Sequence, residues 1–115
     1  MTERDPACLW DIVDAAECIV GYMHGQTLEM YLEDRKLRDA VERNLEIVGE
    51  ASRRLSKTFR QGHPEIPWRK MIGLRNILSH EYDAVDAREI WEIAAVHIPL
   101  LVRDIKPLIP PLPPA

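Results

Sequence analysis

The sequence predicts an all-α fold, an antiparallel bundle of four to five helices. Apolar residues recur at the 3.6-residue period along four stretches, and strand-like alternation is absent. The breaks between stretches are short and rich in capping residues, glycine and proline. A chain of 115 residues is one domain's worth and can hold a core without disulfide or metal staples. It divides into a helical domain over residues 1–106 and a proline-rich tail over 107–115.

The first helix is expected to open at Asp5-Pro6, where the carboxylate can cap free N–H groups and proline fits the first turn. Leu9, Ile12, Val13, Ala16, Ile19, Val20 and Met23 form its apolar stripe, and His24-Gly25 ends it. Asp11, Asp14 and Glu17 fall outside that stripe; Trp10 and Tyr22 lie at its edges as core or subunit-contact residues. Gln26 to Asp34 reads as a connector with one helical turn, capped by Thr27 and anchored by Leu28, Tyr31 and Leu32. Asp34 then caps a long helix to about Ser56, with Leu37, Ala40, Val41, Leu45, Val48, Ala51 and Leu55 as its stripe.

Asn44 falls inside that stripe, where a buried amide needs partners; a bridge between helices and a place in a site both stay open. Glu42, Glu46 and Glu50 follow the outer side at i,i+4 spacing. Without histidine or matching carboxylates in register they read as a solvated face rather than a metal site.

Lys57 to Pro67 contains Gly62, Pro64 and Pro67 and reads as a loop carrying His63. Pro67 suits the first position of the next helix, with Ile66 and Trp68 packing around its start. That helix runs from Trp68, with Met71, Leu74, Ile77 and Leu78 as its core stripe. Gly73 lies within it at a cost of about 1 kcal/mol relative to alanine, which predicts a close approach by another helix or a ligand. Glu81 to Asp86 is a turn, Asp86 with Glu89 makes a capping box, and a last helix follows on Ile90, Trp91, Ile93, Ala94, Ile98 and Leu101. Pro99 predicts a kink or restart there, and the tail from Lys106, with five prolines in ten residues, an extended arm.

Cys8 and Cys18 are ten apart on one helix, about three turns, too far to pair. A reduced cytoplasmic protein fits this; no signal peptide and no membrane-length apolar run are expected. The net charge of −4 argues against a general nucleic-acid binder. Its distribution matters more. From Arg53 to Arg75 the chain holds seven basic residues (Arg53, Arg54, Lys57, Arg60, Arg69, Lys70 and Arg75) against Glu65 alone, whereas the remainder is strongly acidic. Such asymmetry either marks a solvated helix face or focuses a polyanion on one side of the molecule.

The stretch from Trp68 to Tyr82 carries the candidate chemistry. On a helix, Ile72, Asn76 and Ser79 share a second face, flanked on one side by Arg75 and on the other by His80, their Cα atoms roughly 9 Å apart. Arginine can stabilise charge on a phosphoryl group, and histidine can move a proton near neutral pH. RNA cleavage suits this set, because the substrate's own 2′-hydroxyl attacks and no metal-made water is needed. A structural reading stands beside it: Arg75 pairs with a carboxylate, and His80 favours the helix C-terminus.

Arg75-Asn76-Ile77-Leu78-Ser79-His80-Glu81-Tyr82 is an R-x4-H-x-Y motif. It resembles the HepT-like toxins of the HEPN superfamily. Leu32 to Arg35, Asp39 to Val41, Arg43 to Glu46, Gly49-Glu50, Pro64 to Trp68 and Gly73-Leu74 extend the likeness over roughly Asp11 to Leu101. The resemblance implies an all-helical HEPN-like fold and a homodimer whose two motifs form a composite cleft. It implies metal-independent cutting of RNA, without cofactor, by Arg75 and His80, with Asn76 and Ser79 in support. Arg53, Lys57, Arg60, Arg69 and Lys70 are then candidate phosphate contacts. It further implies that Tyr82 is adenylylated by a cognate MntA-like nucleotidyltransferase antitoxin, and that no membrane is involved. A non-catalytic RNA- or nucleotide-binding module and a purely structural helical subunit remain alternatives.

Overall fold

The computed structural model describes residues 1–111, with Tyr82 described by its backbone alone. The fold is all-α and HEPN-like. Among the described residues seven α-helices follow in order: α1 (Asp5–Met23), α2 (Leu28–Glu33), α3 (Arg35–Arg54), α4 (Lys57–Gly62), α5 (Trp68–His80), α6 (Ala87–Glu92) and α7 (Ile98–Ile105). Their most extensive contacts run in the row α7–α1–α3–α5, with α2 against α3 and α6. Among the helices, α5 packs extensively on α3 alone, which leaves it as the edge of the row.

The ends of α1 and α3 show how the row is fastened. Asp5 does not cap α1: Arg4 occupies that position, and Asp5 is fully buried. Its carboxylate accepts from the Thr2 amide at 2.9 Å, the Ser56 amide at 2.8 Å and the Ser56 hydroxyl at 2.7 Å. The Arg4 guanidinium donates to the Arg54 carbonyl at 3.2 Å. The start of α1 is thereby tied to the end of α3, so the two helices run antiparallel. Burial works to raise the Asp5 carboxyl, but the hydrogen bonds from Ser56 and Thr2 outweigh it and hold it below the ordinary carboxylate value.

Ser56 also accepts from the Phe59 amide at 3.1 Å and so caps α4, a helix inside the stretch expected to be loop. Pro67 is the N-cap of α5 rather than its first residue. Ile66 and Trp68 are buried beside it, and the Trp68 indole donates to the His63 carbonyl at 3.0 Å. Thr27 and Asp34 cap α2 and α3 as their spacing predicts. Tyr31, with no exposed surface, anchors α2.

The core is built from Leu9, Ile12, Ala16 and Ile19 of α1, Val41, Leu45 and Val48 of α3, and Ile90, Ala94, Ile98, Leu101 and Ile105 of the last segment. Val20 and Ile77, both placed in core stripes by spacing, are instead exposed at 39% and 38%. At Pro99 the helix restarts. A π-helical segment, Ile93–His97, joins α6 to α7, and the Ile98 amide donates to the Ile93 carbonyl. The wider turn accommodates the missing proline N–H without breaking the core face. The expected capping box does not form among the described residues: Asp86 caps α6 through the Arg88 amide at 2.9 Å instead of the Glu89 amide. Lys106–Leu108 is a short 3-10 turn despite its proline, and Leu108 and Ile109 pack on the core. Residues 112–115 of the expected extended tail lie outside the described residues. No described helix is long and apolar enough to cross a membrane. Cys8 and Cys18, both on α1, are free.

Candidate functional site

Gly49 sets the geometry of the site. A Cβ added there would lie 2.3 Å from the Arg75 Cβ and 2.7 Å from the Met71 carbonyl oxygen, so glycine is required for α5 to lie this close to α3. Gly73, where spacing predicts the close approach, faces open space: a methyl group added there would meet nothing within 4 Å. The intimate packing that a helical glycine signals is present, but it belongs to the partner helix.

The crossing brings Arg75 over the next residue of α3. The Arg75 Nε lies 3.5 Å from the Glu50 carboxylate, and its Nη1 donates to the Asn76 side-chain oxygen at 3.2 Å. Glu50 in turn accepts from Arg53 through Nε at 3.1 Å and Nη2 at 2.6 Å. Hydrogen bonding from Arg53, aided by the charges of Arg53 and Arg75, holds the Glu50 carboxyl below its ordinary value.

Arg75 and Ser79 line a surface cavity of about 210 Å³ with Arg43, Glu46, Ile47, Glu50, Ala51 and Arg54 of α3 and Asp11 of α1. Its walls alternate guanidinium and carboxylate. Arg43 pairs with Glu46 at 3.6 Å. Glu46 and Glu50 are half-buried residues of this wall, not the solvated face their spacing suggests; only Glu42 stands outside it. Burial, with Asp39 and Glu46 nearby, raises the Glu42 carboxyl. Among the described residues no three His, Cys, Asp or Glu side chains come together as a metal-binding group.

Of the residues singled out by sequence, Arg75, Asn76, Ser79 and Arg53 are brought together. His80 is not. It is exposed in the last turn of α5, about 140° around the helix from Arg75 at 100° per residue, and does not line the cavity. It shares its side of α5 with Arg69, Gly73, Asn76 and Ile77, the face that α3 leaves bare. Lys57, Arg69 and Lys70 are exposed and Arg60 is half-buried; all four lie away from the cavity. Asn44 donates to the Ala40 carbonyl of its own helix at 2.9 Å and bridges nothing by that bond. The backbone of Tyr82 opens a 3-10 turn, Tyr82–Ala84, immediately after the α5 cap at Glu81.

Sequence reasoning missed Glu50 as part of the site, along with Asp11, Arg43 and Arg54. The one available signal was a glycine followed by a carboxylate inside a helix, which acquires meaning only once the register of α5 on α3 is known.

The family profile described as "Ribonuclease HepT-like" matches residues 12–108. A provisionally named RNase of Methanocaldococcus jannaschii is 36% identical over 107 residues, covering 92% of this chain and 98% of its own. A Thermococcus cleftensis protein named probable ribonuclease HepT is 43% identical over 93 residues, covering 81% and 84%. A further provisionally named RNase, from Caldanaerobacter subterraneus, is 37% identical over 98 residues, covering 85% and 88%. No solved structure gives a significant match.

Proposed function

Because the chain belongs to the ribonuclease HepT-like family, we propose that it is a metal-independent endoribonuclease, the toxin of a type VII (HEPN/nucleotidyltransferase) toxin–antitoxin pair. It acts as a cytoplasmic homodimer that needs no cofactor. The observation that carries the reading is the division of one edge helix. Arg75 is half-covered and oriented against α3, whereas His80 stands bare on the opposite side beside open space at Gly73. One copy alone does not enclose both groups. A second copy laid on the bare face of α5 would bring two His80 side chains together, with each Arg75 reaching in past Asn76 from the α3 side, and would cover Ile77.

In that cleft the RNA 2′-hydroxyl oxygen bonds to phosphorus and the bond from phosphorus to the 5′-oxygen breaks. The products are a 2′,3′-cyclic phosphate and a 5′-hydroxyl. One proton leaves the nucleophile and one reaches the leaving oxygen; the two His80 side chains of a dimer serve as base and acid. Arg75, ion-paired at its Nε edge with Glu50 and donating one Nη1 hydrogen to Asn76, turns its remaining N–H donors to the phosphoryl oxygens as their charge grows. Ser79 supports the same wall. Arg53, Lys57, Arg60, Arg69 and Lys70 supply contacts to flanking phosphates.

Tyr82 is the control point. Its phenolic oxygen attacks the α-phosphorus of ATP on an MntA-like nucleotidyltransferase, pyrophosphate leaves, and the phenolic proton is lost. The AMP adduct adds bulk and negative charge two residues past His80, against RNA phosphate. The test is incubation of RNA with the purified protein in EDTA. Cutting by the wild type and its loss in Arg75→Ala support the reading. RNA that is retained without cutting would replace the enzyme with a binding module, and neither binding nor cutting would leave a structural subunit. The division at residue 106 is tested in the same assay: a chain ending there loses the half-buried Leu108 and Ile109 contacts and is proposed to keep fold and cutting at some cost in stability.

A further inference from the structure

Two guanidinium groups meet one carboxylate at the α3–α5 crossing, and the Asn76 amide oxygen flanks one of them. Glu50 takes two hydrogen bonds from Arg53, a residue on its own helix at i,i+3, which fixes the carboxylate on α3. The same carboxylate meets Arg75 from α5 at Nε, the inner edge of the guanidinium, rather than at the terminal fork. Asn76 occupies one Nη1 donor from the other side. The contact exists because Gly49, the preceding residue, lets the α5 backbone descend onto α3. A long side chain with four rotatable bonds is thus gripped at its inner edge and flank, while its outer N–H groups meet no hydrogen-bond partner among the described residues besides Asn76. Both partners are partly exposed, with side chains at 28% and 34%, so solvent screens the pair and its value to stability is small. Its geometric consequence is not screened.

We propose that Glu50 is the positioning residue for Arg75, fixed in turn by Arg53. The carboxylate aims the outer donors of Arg75 at the scissile phosphate and touches no substrate itself. This rests on the ribonuclease reading and extends it to a residue outside the R-x4-H motif. The arrangement has a cost as well as a use. An anion beside the phosphate site weakens RNA binding, so removing it should loosen the arginine and tighten the RNA. Those opposite effects separate positioning from a merely structural role, which would change folded fraction and leave affinity and turnover per folded molecule alone.

The experiment is a double-mutant cycle in steady-state RNA cleavage, with Glu50→Ala, Glu50→Gln, Arg75→Lys and Glu50→Ala/Arg75→Lys. Glu50→Ala is expected to lower kcat roughly 10- to 100-fold, the scale of a misplaced catalytic group, with KM unchanged or lower. Glu50→Gln, which keeps one acceptor oxygen but cannot serve both arginines, should fall between Glu50→Ala and wild type. In the Arg75→Lys background, where the Nε–H no longer exists, adding Glu50→Ala should cost less than about threefold. Full additivity, or a Glu50→Ala enzyme with wild-type kcat, would overturn the proposal.

A second measurement is independent of activity. In 15N-labelled protein the Arg75 Nε–H should exchange with solvent more slowly than that of Arg35, and Glu50→Ala should speed it about fivefold. An unchanged exchange rate rejects the positioning role whether or not the protein cuts RNA. Slow exchange in a wild type that does not cut would leave the grip intact and reject the ribonuclease reading instead.

Discussion

Replacing Gly49 with alanine tests the link between packing and site more sharply than any change to a catalytic side chain. The new methyl group would stand 2.3 Å from the Arg75 Cβ and 2.7 Å from the Met71 carbonyl oxygen. Carbon atoms in ordinary contact sit at about 3.5–4.0 Å, so α5 must withdraw by about an ångström. Both obstructing atoms belong to or adjoin the backbone, and no rotamer change relieves them. Two terms oppose one another. Alanine in place of glycine favours a helix by up to about 1 kcal/mol, whereas overpacking a close crossing costs about 1–3 kcal/mol or more.

The net expectation for Gly49→Ala is a loss of about 1–2 kcal/mol, a fall in Tm of roughly 4–8 °C for a domain of this size. Gly21→Ala, with nothing within 4 Å of its methyl group, supplies the control and should melt at or slightly above the wild type. Circular dichroism melts read the stability. RNA cleavage per folded molecule, well below either Tm, reads the displacement of Arg75, with a loss of about tenfold or more. A Gly49→Ala protein that melts with the wild type and cuts as fast would show that the close approach of α5 to α3 does not set the position of Arg75.

Other outcomes follow from the same geometry. Asp5→Ala leaves the Ser56 amide and hydroxyl without their buried acceptor and should cost about 2–4 kcal/mol in a denaturant titration. Because the folded-state carboxyl of Asp5 lies below its ordinary value of 3.8, its contribution is complete above that value and lost as the pH falls through the lower folded one; the wild type should therefore lose more stability on acidification than Asp5→Ala. Gly73→Glu fills the open face of α5 without touching α3, so helicity should survive while sedimentation shifts to the monomer; an intact dimer would move the subunit contact elsewhere. With an MntA-like nucleotidyltransferase and ATP, mass spectrometry should find one AMP on Tyr82 and none in Tyr82→Phe. Tyr31 is wholly buried, so an adduct on exposed Tyr22 is the outcome that would reject the assignment.

Much of this fold could be read from local chemistry. Thr27 and Asp34 announce α2 and α3 because a cap is a short-range hydrogen bond, and Pro99 announces its own break because a missing N–H is a property of one residue. Features that depend on helix register could not be read. Ser56 caps α4 while also binding Asp5, fifty-one residues earlier, and its neighbours Gly62, Pro64 and Pro67 masked the helix between. Gly49 and Gly73 look alike in sequence; only the crossing of α3 and α5 distinguishes the one that is packed from the one that is open. Glu50 reads as one of three solvated carboxylates until Arg75 is placed over it. Spacing puts Arg75 and His80 at the two flanks of one helix face, but gives no reason for Arg75 to be turned against α3 and His80 to be bare.

That bare histidine is where the proposed function is most exposed to test. His80→Ala changes a side chain for which no hydrogen bond or ion pair is formed among the described residues, so fold and dimer should be unaffected. Sedimentation and melting of the variant establish that first. RNA cleavage in EDTA is then the deciding measurement. The composite-site ribonuclease predicts cutting by the wild type, with 2′,3′-cyclic phosphate ends, and a loss of about a hundredfold or more in His80→Ala. Equal cutting by the two proteins would contradict it.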